Sequence, residues 1–469
     1  MRDQQNMAQH LLRREMGLLS ATVLVIANMV GTGIFTTSGF IMEWLRDPQA
    51  MLLCWFLGGI IALSGALCYG ELGAMFPRAG GEYVFLRESF GKLMAFLSGW
   101  ISLIVGFSAP IAAASIAFAT YFFRSLSLVP KASVPFLQGK ILSLSPVTAL
   151  AVAIIIVFSL VHWYSLRFGS RVQNLLTGFK ILVILAFVAG GVGCGNGSVA
   201  NFSSGPDLGL VLSGGFATSL IFVSFAYSGW NAAAYLGGEI KNPARNIPLS
   251  LFWGTLVVMI LYLLLNTVFI YALPVEEISG VIEVGAKAAL SLFGPHVGAV
   301  VSVAVTVCLL SVISAMIMAG PRIYYAMAKD GVFFRLFSRV NKTHRTPGPA
   351  IFLQGAIAVA MVLTSSFDKL LLYIGFTLAA FAMLTVVGMM VLRARAPHRV
   401  RPYRTFGYPL TALVFVVSNL WIIVFSLGSN PVVGLYGAAT IALGLVVYFC
   451  FQRLHSSKQS LSRNPSAPH

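Results

Sequence analysis

Charge is scarce in this sequence, and negative charge scarcest: only 10% of the 469 residues are charged, and 14 are acidic. A soluble domain carries about 25% charged and about 45–50% apolar residues. A chain that is 58% hydrophobic, with a mean hydropathy of +0.87, is therefore excluded from the aqueous globules. Cysteine is sparse as well. Cys54, Cys68, Cys194, Cys308 and Cys450 are scattered, mostly inside apolar runs, with neither CxxC spacing nor a pair in one loop, which argues against a disulfide framework or a metal cluster. GxxxxGK[ST], HExxH and GxSxG are all missing, and no lysine follows the glycine-rich stretch Gly190–Gly197. The reading is of a chain that is not an enzyme and uses no cofactor and no metal.

What the sequence does contain is long apolar runs. Each is long enough for a membrane-spanning helix of about 20 residues. They predict spans near 17–41, 50–76, 92–123, 146–166, 172–194, 212–238, 247–273, 290–327, 348–364, 369–392, 408–427 and 431–451. The fold class is thus all-α integral membrane, with about twelve spans. The first span follows Arg13 and Arg14 and lacks a small-residue cleavage site, so it is expected to stay in the mature chain.

The net charge of +17 would suggest a nucleic-acid partner in a soluble protein, but the basic residues lie in the loops. Of 31 Lys+Arg, 24 fall on the N-terminal arm, the even-numbered connections and the tail, and 6 on the odd-numbered connections. This bias places both termini in the cytoplasm and makes the lipid bilayer, not nucleic acid, the partner. Residues 1–16 form a cytoplasmic arm, and the Ser- and Pro-rich tail 453–469 is expected to be disordered.

Two spans are interrupted. The run Val23 to Val30 meets Gly31-Thr32-Gly33 before resuming at Ile34-Phe35, and Leu220 to Ala226 is followed by Tyr227-Ser228-Gly229-Trp230-Asn231. Glycines this close cost about 2 kcal/mol of helix propensity, and unwound backbone is tolerated at membrane depth only where it faces protein or a wet cavity. Gly33 and Gly229 are 196 residues apart, the offset expected of corresponding positions in two halves. Paired breaks of this kind mark a transporter's midplane site. Half-helix N-termini offer N–H groups to a carboxylate, and the opposing broken ends offer carbonyls to an ammonium. A zwitterionic amino acid matches both. The plainer alternative for Gly31 and Gly33 is close helix packing.

With these residues in view, the chain resembles the amino acid, polyamine and organocation (APC) superfamily, and within it the L-type amino acid transporters and their bacterial relatives. The likeness is carried by Val30-Gly31-Thr32-Gly33-Ile34-Phe35, by Gly70-Glu71-Leu72 through Phe76-Pro77-Arg78-Ala79-Gly80-Gly81-Glu82-Tyr83, and by Arg171-Val172-Gln173-Asn174 leading to Lys180. Phe225 through Asn231 with Glu239 and Asn242-Pro243, and Arg322 through Gly331, complete it.

The resemblance implies a leucine-transporter-type fold. Residues 17–194 and 212–395 would form a 5+5 inverted repeat with discontinuous helices 1 and 6, and 406–452 two peripheral helices. It also implies that a ligand's carboxylate meets the N–H groups of Gly31, Thr32 and Gly33, that its ammonium meets carbonyls near Met29, Val30, Phe225 and Ser228, and that Ala226 belongs to the same site. Phe225 would be the external gate. Ser228 stands where many animal relatives have glycine and points to small neutral substrates. Asn231 either reaches the side-chain pocket or caps the break locally.

Lys180 is the one basic residue outside the loops. It lies 9 residues from Arg171, about 13 Å along a helix, in a hydrocarbon core about 30 Å thick. A stem reaching roughly 6 Å cannot snorkel out, so Lys180 is a functional residue by default. In the family resemblance a lysine at this place replaces a bound cation and makes exchange independent of sodium. Two rivals stand: Lys180 carries a proton in a proton-coupled symporter, or it is structural. A non-transporting amino acid sensor is the alternative of another class.

Glu71 and Glu239 are read at cytoplasmic helix ends, and no acid is placed at mid-membrane, which disfavours cationic substrates. Glu239 is expected to pair with a cytoplasmic base such as Arg322 as an inner gate, and His162 to be a packing residue. The animal relatives hold a heavy-chain subunit through a cysteine after the third span. Here Arg124 to Pro146 contains none, so no disulfide-linked subunit is expected. The reading is a sodium-independent exchanger of small neutral amino acids in the cell inner (plasma) membrane.

Overall fold

The computed structural model describes residues 14, 16–78, 80–126, 137–138, 143–164, 166–203, 208–340, 346–364, 367–429 and 431–462. Among them the regular structure is helical, apart from one antiparallel pairing of Leu137–Gln138 with Ser143–Leu144 and a single parallel bridge between Met16 and Ile240, neither of which the apolar pattern suggested. The helices of the first half are α1 (Leu18–Met29), α2 (Thr32–Leu45), α3 (Pro48–Met75), α4 (Glu82–Phe90), α5 (Lys92–Ser125), α6 (Pro146–Tyr164) and α7 (Leu166–Cys194). Those of the second are α8 (Gly214–Tyr227), α9 (Ala232–Tyr235), α10 (Pro243–Ala272), α11 (Val284–Ala319), α12 (Pro321–Lys329), α13 (Gly348–Thr364), α14 (Phe367–Arg395), α15 (Leu410–Ser429) and α16 (Pro431–Ser462).

Among the described residues, nine helices are long and apolar enough to cross a membrane, and α1 with α2, bent by 40°, make a tenth. Gly214–Tyr227, Gly348–Thr364 and Leu410–Phe425 are shorter apolar helices. Large apolar side chains such as Leu182, Val192, Val300, Leu435 and Val446 point outward, as a lipid-facing surface requires, while Trp55, Tyr69, Tyr227, Tyr262 and Lys180 are fully buried. Polar groups go inside because hydrocarbon has no hydrogen-bond partner to offer them.

The first break falls where expected and is tighter than expected. Val30 and Gly31 are extended, and helix resumes at Thr32 rather than at Ile34. In the second, Ser228 is extended and Gly229 takes φ +95°, a left-handed conformation that side chains disfavour. The segment before one break packs against the segment after the other: α2 on α8, and α1 on α9. Around them α10 packs on α3 and α1, α11 on α5 and α7, α15 on α14, α8 and α3, and α16 on α14 and α5.

Three departures from the sequence reading have local causes. Within α5 the stretch Ser102–Ser108 is π-helical. Pro110 has no N–H to give, and the Ser108 hydroxyl donates to the Leu103 carbonyl at 2.7 Å. The eighth span, expected over 290–327, begins at Val284, kinks at Gly294 (φ +81°) before Pro295, and ends at Ala319 ahead of α12. Finally, α16 runs to Ser462, ten residues into the tail 453–469 expected to be disordered. Extending an existing helix adds one bond per residue without a new nucleus, and no proline intervenes before Pro465. Residues 463–469, and most of the arm 1–16, lie outside the described residues.

Candidate functional site

The site is built where the two breaks touch. A Cβ on Gly33 would run into the Ala226 backbone and side chain, and one on Gly229 would lie 2.8 Å from the Asn28 carbonyl oxygen. Only glycine lets the two main chains approach this closely. The contact is spanned by a residue that the sequence pattern did not single out. Tyr262, on α10, directs its hydroxyl to the Met29 carbonyl at 2.6 Å and to the Ala226 carbonyl at 3.0 Å. One phenolic proton serves both acceptors, so a single side chain ties the first break to the second.

Three of the carbonyls that the resemblance assigns to a ligand's ammonium already have protein donors. Val30 receives Lys180, Met29 receives Tyr262, which also reaches Ala226, and Phe225 receives the Ser228 N–H at 2.9 Å. Each carbonyl keeps a second lone pair. At the start of α2 no side chain caps the first turn, so the leading N–H groups at Thr32 and Gly33 have no intrahelical acceptor. Gly31 faces Val312, and Phe225 is buried just ahead of the second break.

Lys180 is fully buried on α7. Its ammonium donates to the Ala27 carbonyl at 2.9 Å and to the Val30 carbonyl, across the end of α1. These oxygens lie at the negative end of a helix dipole, where a cation is held favourably.

Beside the breaks lies a cavity of about 850 Å³. Its wall includes Ala27, Asn28, Ser224, Ser228, Gly229, Trp230 and Asn231, the π-helical Ser102, Gly106 and Phe107, and, toward one end of the bundle, Met16, Leu19, Glu239 and Arg322. Of the candidate residues, Ser228, Asn231 and Glu239 line it. Met29, Val30, Gly31, Thr32, Gly33, Phe225, Ala226 and Lys180 do not; they are packed behind the wall, where the two breaks close on each other.

Asn231 lines the cavity and makes no side-chain cap at the break. Its Nδ2 donates to Glu82 Oε1 at 2.9 Å and to the Tyr235 hydroxyl at 3.4 Å. Tyr69 donates to the same Glu82 oxygen at 2.8 Å. The sequence reading placed no acid at mid-membrane and gave Glu82 no role in the site, yet Glu82 lines the cavity. The turn at Gly80 (φ +123°) and Gly81 (φ +49°) folds α4 back so that its first residue lines the cavity. A positive-φ pair of glycines before an acid was the available signal. Burial pushes the Glu82 carboxyl above the usual carboxylate range, with the two hydrogen bonds opposing.

At the mouth of the cavity Arg322 Nε stands 3.8 Å from Glu239 Oε1, and the backbone beside Glu239 pairs with Met16. Glu71, near the end of α3, is fully buried. It accepts from Arg393 Nε at 2.9 Å and from Thr405 N at 2.7 Å, with Arg401 Nε 3.4 Å away. Arg393 and Arg401, expected only to orient the chain, thereby fasten α14 and the segment after it to α3. His162 is buried with Nε2 2.9 Å from Ser314 Oγ.

Interrupted helices that abut beside a cavity are the arrangement expected of a transporter. Residues 16–450 match the Amino acid permease family, and the chain belongs to it, within the APC superfamily: it is an amino acid transporter, not an enzyme. It is 30% identical over 461 residues to the serine/threonine exchanger SteT of Bacillus subtilis (strain 168), covering 95% of this chain and 98% of that one. It is 29% identical to the large neutral amino acids transporter small subunit 2 of Mus musculus, over 93% of this chain and 81% of the relative. The match to the b(0,+)-type amino acid transporter 1 of Mus musculus is also 29%, over 94% and 88%.

Proposed function

We propose that this chain is a sodium-independent exchanger of small neutral amino acids, working by alternating access around the two breaks. The carrying observation is the ammonium of Lys180 on the Ala27 and Val30 carbonyls, which puts a cation of the protein itself where a bound metal cation would hold α1 against α7. The substrate's carboxylate meets the N–H groups of Gly31, Thr32 and Gly33, and its ammonium the second lone pairs of the Met29, Val30, Phe225 and Ser228 carbonyls, with Ala226 alongside. Binding there requires the breaks to part by the depth of a ligand, which is the motion that alternating access supplies.

The 5+5 inverted repeat of residues 17–194 and 212–395, with α15 and α16 peripheral, is supported by the reciprocal packing of α1 on α9 and α2 on α8. Small neutral substrates are supported by the hydroxymethyl of Ser228 on the wall and by the serine and threonine in the name of the bacterial relative. Glu239 with Arg322 forms the inner gate and Phe225 the outer one. Both termini are cytoplasmic in the cell inner membrane, so the cavity mouth at Met16 faces inward. One relative is named a small subunit. The loop 124–146 has no cysteine to hold a larger one, and this chain works without a disulfide-linked partner.

Proteoliposomes test the reading. Uptake of labelled serine should require an amino acid inside, ignore replacement of sodium by potassium, and not be driven by an imposed pH gradient. Uptake into empty vesicles driven by a pH gradient would make the chain a proton-coupled symporter instead, and binding without uptake would make it a sensor.

A further inference from the structure

The cavity wall carries one acid that no cation answers. Glu82 is buried and accepts two hydrogen bonds, both on Oε1. Oε2 has no hydrogen-bond partner among the described residues, and no ion pair reaches it there. The other charges of α4 are engaged at the surface, Arg87 with Asp330 at 2.8 Å and Glu88 with Arg399 at 3.1 Å.

The groups facing Glu82 are uncharged. Tyr69 comes from α3 and Tyr235 from α9; Tyr324 of α12, behind Tyr235, is engaged with Gln354 at 3.0 Å. From the helices packed on α4, Lys92 of α5 is exposed and Arg393 of α14 is held by Glu71. A buried carboxylate without a cation is costly, and taking up a proton removes the cost. Its place is also set by the backbone, since the Gly80 N–H donates to the Tyr235 carbonyl at 3.0 Å and pins the start of α4 to α9.

We propose that Glu82 is a proton-binding site of the transport cavity, and that its occupancy sets the charge of the cavity wall beside Asn231 and the second break. The proton comes from cavity water and adds to Oε2; no bond of the substrate changes, and nothing is oxidised or reduced. In the neutral form Oε1 still accepts from Tyr69 and Asn231, while Oε2–H becomes a donor to the cavity. In the ionised form the donor is lost and a negative charge lies one side chain from Ser228–Asn231. The wall is then neutral toward neutral substrates at low pH and attracts cations at high pH. This rests on the exchange reading and assigns that site a proton dependence arising from a carboxylate instead of from Lys180.

The test compares wild type with Glu82→Gln in proteoliposomes, with the same pH on both sides and serine exchange measured from about pH 5 to about pH 9. The wild-type rate should change about threefold or more along a one-proton curve, and the variant should hold the acid-side rate throughout. A flat wild-type profile, or a variant that follows the wild-type curve, overturns the proposal while leaving exchange intact. Should the variant not accumulate, Glu82→Asp decides: a displaced midpoint supports the proposal and a superimposable profile overturns it. If wild type exchanges no serine at any pH, the exchange reading fails by itself. An infrared pH titration of the purified protein still decides Glu82 in that case. A protonated-carboxyl band surviving above the ordinary carboxylate range near 4.3, and missing from the glutamine variant, supports the site; identical spectra overturn it.

Discussion

The hydroxyl of Tyr262 lies within hydrogen-bond distance of both the Met29 and the Ala226 carbonyls, one in each interrupted helix. Tyr262→Phe keeps the ring and removes the proton, leaving two buried carbonyls short of a donor. The expected loss is about 1–3 kcal/mol, read as a lower melting temperature in detergent, together with slower serine exchange. An unchanged melt would mean that the breaks are held by packing alone.

Lys180→Ala removes the ammonium from the Ala27 and Val30 carbonyls. Hydrogen bonds to a charged group are each worth about 1.5–3 kcal/mol, so exchange should fall by at least about tenfold, a loss of about 1.4 kcal/mol. Lys180→Arg should not rescue it, because a planar fork does not fit where a compact ammonium sits. Initial rates in proteoliposomes measure both.

Gly33→Ala and Gly229→Ala place a Cβ against Ala226 and against the Asn28 carbonyl, the second at φ +95°. Overpacking of this kind costs about 1–3 kcal/mol. Both variants should lose serine binding in a scintillation proximity assay, whereas Gly193→Ala, which meets nothing within 4 Å, should bind normally.

Two ion pairs of similar appearance should behave oppositely. Glu71→Ala leaves Arg393 and Arg401 without their shared buried carboxylate and should destabilise the fold by about 3–5 kcal/mol. Glu239→Ala breaks a partly exposed pair at 3.8 Å and should cost under about 1 kcal/mol, while changing the exchange rate by loosening the inner gate. Melting curves separate the two, and transport assays show the second effect.

Stability should also carry the mark of Glu82. Its folded carboxyl is raised by burial, so the folded state holds the proton to a higher pH than the unfolded chain. Between the ordinary carboxylate range near 4.3 and the raised value, the unfolded chain binds fewer protons, and stability falls as pH rises. Above both values the loss is complete. The melting temperature of wild type minus that of Glu82→Gln, followed across pH, should decline through this window.

Much of this was written locally in the chain. Apolar runs, their separations and the bias of Lys and Arg placed the spans, because crossing a bilayer constrains composition residue by residue. Gly31 with Gly33, and Gly229 beside Ser228, located the two interruptions, and Lys180 stood out because no loop explained it. Other features had no local signature. Tyr262 was one of 15 tyrosines and lay in an apolar helix, and Glu82 fell between the expected spans 50–76 and 92–123, with nothing local to show that the turn at Gly80–Gly81 folds it inward. The reach of α16 into the tail was hidden for the opposite reason: composition speaks to independent folding, not to continuation of a helix already formed.

The sequence by itself determined the class of protein, its helical membrane character, the two interruptions and the lysine between them, since each follows from the hydropathy and backbone preference of neighbouring residues. Tertiary structure alone decided what those parts touch. Tyr262 joins Met29 to Ala226, Asn231 reaches Glu82 across 149 positions, and Arg393 meets Glu71 across 322. In a membrane interior every buried polar group must find a partner within the protein, and which partner it finds is settled by how the helices pack, a quantity that no local window of sequence contains.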